Sequence, residues 1–231
     1  TSLGAAYYCW HNHLKKKKRF VMKHAFWGPS YNEDEILYEI KAKNLKYKKF
    51  DNINELTIHA AKVISESNVV GWYQGKSEWG SRALGNRSIL ANPAHKNMKD
   101  IINSKIKKRE SFRPFAPSVL EDDVTKFFEC DIKSEFMNHI VKFKKEWCDV
   151  FPSVCHVDNT ARLQTVNKDN NPLFHQLISE LKKITGYGII LNTSFNENEP
   201  IVDTPEQAIN CFLRTDMDIL FLEKFMICKD S

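Results

Sequence analysis

Several common chemistries are missing from this 231-residue chain. It has no Walker-type G-x-x-x-x-G-K-[ST], no G-x-S-x-G and no G-x-G-x-x-G standing after a strand-like run. Their absence removes the P-loop, the serine-hydrolase elbow and the dinucleotide-binding turn as readings. The cysteines, at 9, 130, 148, 155, 211 and 228, include no Cys-x-x-Cys pair and no zinc-like spacing. Scattered thiols indicate a reducing compartment, so the expected location is cytoplasmic. No apolar run approaches about eighteen residues, which argues against a membrane span. There is no signal-peptide pattern, no internal repeat and no low-complexity linker.

What is present is core material. Apolar residues make up 42% of the chain, with fifteen Phe and five Trp, which excludes global disorder. The net charge of +5 permits an anionic ligand but does not by itself argue for nucleic acid. The length fits one large domain, or one domain plus a remnant of another. The chain opens on "TSLGAAYY", without Met and in mid-element, so a fragment of a longer protein is expected.

The pattern along the chain is alternating α/β from about Tyr47 onward. "LGAAYYCWHNHLKKKKR" reads as a helix with a basic C-terminal end, where Lys and Arg complement the helix dipole. Asn32 with Glu35 three residues on reads as a capping box. "NINELTIHAAKVISES" predicts a helix, "NVVGWYQG" a buried strand, "NPAHKNMKDIINSKI" a helix and "DDVTKFFE" a short one. "NPLFHQLISELKKITG" is amphipathic, with Gly186 at its end. "YGIILNTSFN" is a strand that turns polar. Thr204 caps a helix whose first turn holds Pro205. "DILFLEKFMIC" reads as a closing apolar strand.

Four segments carry cations or short polar groups. In "NSKIKKRESFRPFAP", Lys107 and Arg109 are two apart. On an extended segment they share a face, and with Arg113 they could converge on one anion. A solvated basic loop is the plainer alternative. In "GIILNTSFN", a persisting strand would put Asn192, Ser194 and Asn196 on one face, just past an apolar run, where open α/β sheets bind ligands. A turn with Asx-type bonds is the alternative there. Arg82 follows a strand through the glycine-bearing loop "EWGSRALGNRSIL", and its guanidinium could grip a phosphate with two donors. Arg87, in the same loop, is read as holding that loop together. Arg162 sits among strand-like residues, which alone would suit a structural ion pair. Together these groups suit a nucleotide triphosphate better than an acid–base pair. His156 and Asp158 share a strand face but lack a third ligand, so no metal site is assigned.

Taken together, "GWYQGKSEWGSRALGNRSILANP", "INSKIKKRESFRPFAPSVL", "HVDNTARLQTV" and "LNTSFNENEPIVDTPEQAINCFLRTDMDILFL" resemble the C-terminal domain of the NodU/CmcH-type O-carbamoyltransferases. The likeness covers nearly the whole chain in the family's order. It implies a YrdC-like α/β fold, a twisted mixed sheet flanked by helices, over residues 46–231. Residues 1–22 would be a remnant helix of the preceding actin-like domain, and 23–45 a linker. The fold's KxR…SxN tetrad matches Lys107, Arg109, Ser194 and Asn196, and Arg82, Arg162 and Asn192 match further residues of the nucleotide site. The implied chemistry hydrolyses carbamoyl phosphate to carbamate, which attacks the α-phosphorus of ATP to give carbamoyladenylate and pyrophosphate. Lys107, Arg109 and Arg82 would act on the charged groups, Arg162 would add to the clamp, and Asn192, Ser194 and Asn196 would orient the nucleotide. Mg²⁺ would accompany the ATP. The carbamoyl group would pass to a hydroxyl acceptor on the actin-like domain, whose metal ligands this chain does not carry.

Two departures stand out. Trp79-Gly80-Ser81-Arg82 replaces the family's Phe-Gly-Pro-Arg, which should loosen the loop. Asn159 stands where Gly is common, and Asn tolerates positive φ. Two other functions are weighed against this one: a threonylcarbamoyladenylate-synthase-like protein of tRNA modification, and an RNA-binding module using Lys15–Arg19, Lys105–Arg113 and Lys142–Lys145. The sequence carries the first reading furthest.

Overall fold

The computed structural model describes residues 2–229. Residues 1, 230 and 231, the outer limits of the expected segments, lie outside them. In chain order the elements are α1 (Ser2–Tyr8), α2 (Glu33–Ala42), β1 (Tyr47–Lys49), α3 (Ile53–Ser65), β2 (Val70–Tyr73), β3 (Arg87–Ala91) and α4 (Met98–Ile101). There follow β4 (Ala116–Leu120), α5 (Val124–Phe127), β5 (His139–Lys142), α6 (Lys145–Cys148) and β6 (Thr160–Val166). The last elements are α7 (Pro172–Thr185), β7 (Ile189–Ser194), α8 (Pro205–Arg214), β8 (Ile219–Leu222) and β9 (Phe225–Cys228). The strands form one mixed sheet in the order β1-β9-β8-β2-β3-β7-β4-β6-β5. β2 pairs with β8 and β4 with β6 in parallel, and the other neighbours are antiparallel.

Strand alternation sorts the core into two faces. Ile89 and Ala91, Ile189 and Leu191, Leu220 and Leu222 point to one side, where α2, α4, α5 and α8 contribute Ile36, Met98, Phe127 and Phe212. Val70, Trp72, Leu90, Ile190 and Phe221 point to the other, against Leu56, Ala60 and Ile64 of α3 and Phe174, Leu177, Ile178 and Leu181 of α7. The second face is apolar where α3 and α7 cover it. Further along, the same alternation places Ser118, Arg162, Gln164, Asn192 and Ser194 on it, and the site forms there.

Local chemistry sets the helix ends. Asn32 and Glu35 exchange bonds in a capping box, Glu35 N to Asn32 Oδ1 at 3.0 Å and Asn32 N to Glu35 Oε2 at 2.7 Å. Thr204 caps α8 through Gln207 N at 3.2 Å, with Pro205 following. α7 ends at Gly186 in the left-handed conformation. Within the 23–45 segment read as a linker, α2 buries Ile36 and Ile40 completely in the main core.

Three expectations are corrected. The N-terminal helix stops at Tyr8 and passes through one π-type turn, Cys9–His13, so Lys15–Arg19 is not its basic last turn. The closing strand is a hairpin, β8 and β9, turned at Glu223 with φ 51°. Lys107 and Arg109 do not lie on an extended segment: Lys107 is helical (φ −81°, ψ −16°) and Lys108 is left-handed (φ 43°). The chain bends sharply there, so the two side chains part. No helix among the described residues is long and apolar enough to cross a membrane.

Candidate functional site

The loop after β2 is built around two buried charges. Arg87, fully buried, donates from Nη1 to Gln74 O (2.8 Å) and Asn86 O (2.9 Å), and from Nη2 to Gly75 O (3.1 Å) and Pro29 O (3.4 Å). Its guanidinium lies 3.5 Å from the centroid of the Tyr73 ring. Glu78 Oε1 accepts from the backbone N–H of Leu84 (2.7 Å), Asn86 (2.8 Å) and Arg87 (3.3 Å). Burial raises the Glu78 carboxyl pKa against those backbone bonds. Gly85 (φ 110°) is required twice over, because a Cβ there would lie 2.3 Å from Cδ1 of Phe174. Arg87 therefore fixes the loop, as expected, and the loop carries exposed Arg82 to a cavity mouth.

That cavity, about 390 Å³, gathers Arg82, Arg109, Arg113, Arg162, His156, Asn192, Thr193 and Ser194, with Phe115, Met137 and Ile140 as apolar walls. No Asp or Glu is among its lining residues. Arg109 Nε donates to buried Asn103 Oδ1 at 2.8 Å, and Asn103 Nδ2 donates to the carbonyls of Ser111 (3.3 Å) and Arg113 (3.0 Å), which shapes the turn. The Arg109 guanidinium lies 5.2 Å from the Phe115 ring centroid. Arg113 pairs with Glu110 at 2.9 Å. Burial first, and then the Arg82 charge, lower the pKa of half-buried Arg162, whose buried Nε has no partner. Burial likewise lowers the His156 pKa, so its imidazole is neutral at pH 7, with Nδ1 3.2 Å from Thr160 Oγ1. Asn159 in the adjoining turn takes φ 62°, as its replacement of Gly requires.

Two of the sequence-predicted residues lie behind this cavity. β7 ends at Ser194, and Asn196 follows in a turn closed by Asn196 N to Ser194 O at 3.0 Å. Lys107 Nζ, almost fully buried, donates to Ser194 O (2.6 Å), Asn196 O (2.8 Å) and Asn196 Oδ1 (2.6 Å), with Ser194 Oγ at 3.3 Å. Burial, and then the Arg109 charge, pull its pKa down to about 7, while the surrounding acceptors favour the ammonium form. So Arg82, Arg109, Arg162, Asn192 and Ser194 come together at one cavity, and Lys107 and Asn196 brace its rear wall. Because β7 runs antiparallel to β3 and β4, the site lies at the C-end of β7 but the N-ends of β4 and β6. It rests on a sheet face rather than past a common carboxyl edge.

Arg113, read as able to join Arg109 on one anion, lines the cavity; His156, weighed only as a metal ligand, and the buried pair Ser118 and Gln164 are what the sequence reading missed as site residues. The signal for Ser118 and Gln164 was their parity with Asn192 on the strands, which needs the pairing register. Among the described residues no group of three or more His, Cys, Asp or Glu could hold a metal ion. The residues lining the cavity include no carboxylate.

Comparison with known proteins bears on the family and the fold. Residues 61–229 match the family described as Carbamoyltransferase C-terminus. The nodulation protein NolNO of Sinorhizobium fredii is 41% identical over 99% of this chain and 34% of that protein. The 3'-hydroxymethylcephem-O-carbamoyltransferase of Streptomyces clavuligerus is 39% identical over 61% of this chain and 27% of that protein. The chain spans between 34% and 42% of the length of the first curated relatives it matches. The fold is shared with full-length HypF in its phosphate- and nucleotide-bound form (TM-score 0.51, 16% identity, 81% of this chain and 23% of that one). It is also shared with Escherichia coli YciO (TM-score 0.50, 13% identity, 79% and 92%), so the architecture is YrdC-like, with its mixed sheet flanked by helices. On its sequence, its fold and this family match, the chain belongs to the carbamoyltransferase C-terminus family.

Proposed function

We propose that the arginine-lined cavity binds ATP and carbamoyl phosphate and forms carbamoyladenylate, which the preceding domain of the whole protein transfers to a hydroxyl acceptor. The observation that carries this reading is a concentration of four arginines at one cavity, of which only Arg113 is paired with a carboxylate, Glu110 outside the lining. Such a site is unfavourable until a polyanion enters it. The unpartnered Arg162 Nε adds a donor with nothing to bind in the free protein. The phosphate- and nucleotide-bound state named for HypF supports the choice of ligand.

In this reading Arg82, Arg109 and Arg162 hold the phosphates, and the chemistry rests on positioned charge. Carbamoyl phosphate is first hydrolysed to carbamate and phosphate. A carbamate oxygen then bonds to the α-phosphorus as the bond to the pyrophosphate oxygen breaks. Thr193 and Ser194 lie beside the phosphates, and Phe115 and Met137 supply apolar surface for base or ribose. Lys107 acts through Ser194 and Asn196, whose positions it fixes. Mg²⁺ would come bound to the ATP phosphates, since the cavity lining includes no carboxylate.

The test is pyrophosphate release by the isolated chain given ATP, Mg²⁺ and carbamoyl phosphate. Release should require carbamoyl phosphate and fall at least a hundredfold in Arg162→Ala, with the fold intact by circular dichroism. Threonine and bicarbonate replacing carbamoyl phosphate with undiminished release would overturn the assignment in favour of threonylcarbamoyladenylate synthesis. Failure of ATP to bind would overturn it altogether.

A further inference from the structure

The cavity holds many donors and one base. Of its lining residues only His156 can take up a proton near neutral pH, because the rest are arginines, hydroxyl side chains, an asparagine and apolar groups. Lys107 lies behind the wall, with its Nζ protons given to Ser194 O, Asn196 O and Asn196 Oδ1. His156 stands in the tight turn that enters β6, closed by His156 N to Thr160 O (2.8 Å) and Asn159 N to His156 O (2.9 Å). Across that turn Thr160 Oγ1 donates to Asp158 Oδ1 at 2.7 Å. The Thr160 hydroxyl holds the Asp158 carboxyl below its ordinary range, so this group is ionised and can only accept. A hydroxyl has one proton, and Thr160 has given its own to Asp158. At the 3.2 Å contact with His156 Nδ1, Thr160 Oγ1 is therefore the acceptor, and Nδ1 carries the ring proton. Nε2 is left with its lone pair. It has no partner among the described residues and is not one of their buried unpartnered atoms, so solvent reaches it.

We infer that His156 Nε2 is the general base of the first half-reaction, taking a proton from the water that cleaves carbamoyl phosphate, and that Thr160 and Asp158 are positioning residues that hold it in the basic tautomer. This rests on the reading that the cavity takes carbamoyl phosphate, and it assigns the step that releases a proton. The water oxygen bonds to phosphorus as the bond from phosphorus to the carbamate oxygen breaks. The electron pair of that bond leaves with carbamate, and a water proton moves to Nε2. The imidazolium so formed is linked through Thr160 to the Asp158 carboxylate, and it returns its proton to solvent. The second half-reaction needs no base, because carbamate attacks as an anion and pyrophosphate leaves as one. Loss of Nε2 should therefore stop the first half and spare the second.

The two halves can be fed separately. In one series the chain receives carbamoyl phosphate, ATP and Mg²⁺, and phosphate release is followed after correction for spontaneous decomposition. In the other, ammonium bicarbonate, which contains carbamate at equilibrium, replaces carbamoyl phosphate, and pyrophosphate release is followed. His156→Asn keeps a nitrogen donor toward Thr160 and removes Nε2. Its kcat for phosphate release should fall about a hundredfold, the usual worth of a general base, with KM for carbamoyl phosphate little changed. Pyrophosphate release fed by carbamate should stay within about twofold of the unaltered chain, since no base acts there. Thr160→Val, which frees the ring to change tautomer, should show the same split with a smaller loss. A variant that merely loosened the fold would lose both activities together, and that result would overturn the inference. Undiminished phosphate release by His156→Asn would also overturn it, as would a rise in KM with kcat unchanged. If ammonium bicarbonate supports no release by the unaltered chain, free carbamate is not the intermediate and the inference falls with it. Release of neither product by the unaltered chain in either series would sink the functional reading itself.

Discussion

Lys107→Met separates two opposing effects at the rear wall of the cavity. The substitution keeps the length of the stem and removes Nζ, which supplies donors to Ser194 O, Asn196 O and Asn196 Oδ1. Leaving buried acceptors unpaired costs about 1–3 kcal/mol each, so about 3–9 kcal/mol for three. Against this, holding the ammonium in a buried site is itself unfavourable. A pKa of about 7 in the folded chain against ~10.4 unfolded corresponds to about 5 kcal/mol. Near pH 6 the two effects should largely offset, leaving the variant at most a few kcal/mol less stable. Above pH 7 the folded chain releases this proton while the unfolded chain keeps it until ~10.4, so stability contributed by Lys107 rises with pH. At about 1.4 kcal/mol per pH unit, the gap between natural chain and variant should widen by about 3 kcal/mol from pH 7 to 9.5. Urea unfolding followed by tryptophan fluorescence at several pH values gives the difference directly, because the other titrating groups are common to both proteins. A gap constant to about 0.5 kcal/mol across that range would refute the reasoning. It would mean that the acceptor shell holds the ammonium at its ordinary pKa.

Two further substitutions probe the loop that carries Arg82. Gly85→Ala must adopt φ 110° and push its Cβ into the Phe174 ring, a combination of backbone strain and overpacking expected to cost about 2–5 kcal/mol. A thermal midpoint unchanged within a degree would contradict it. Arg87→Lys keeps the charge but cannot reach four carbonyls on one planar fork. A loss of about 3–5 kcal/mol is expected by denaturant titration, with retained stability the disproof.

The readable part of the fold was the part fixed by neighbours in sequence. The caps at Asn32 and Thr204 and the backbone stop at Gly186 depend on groups three or four residues apart in the chain, and each stands where the sequence put it. The α7 stripe of Phe174, Leu177, Ile178 and Leu181 is buried as its 3.6-residue period requires. The failures came from endings and turns. "DILFLEKFMIC" is apolar enough to read as one long strand, and only the two-residue turn at Glu223 and Lys224 makes it a hairpin. Lys107 and Arg109 were placed on one extended face, but the left-handed Lys108 between them turns one into the wall and leaves the other at the cavity.

The sequence by itself determined which residues are available: the arginines, the short polar run after an apolar strand, and the glycines that let a loop turn. It also determined Arg87 as a loop-holding residue, since a cation beside glycines and carbonyl-rich turns has local acceptors. What only the tertiary structure decided is orientation. Asn192 looked like one of three equivalent polar groups on a strand. Its amide direction is set by Ala83 from the loop and by Gln164, which Leu84 O orients in turn, and these partners come from segments far apart in the chain. Lys107 looked like a free cation, and its partners are 87 and 89 residues away. Hydrogen bonds between distant segments depend on strand register, and register is a property of the assembled sheet rather than of any one stretch of chain.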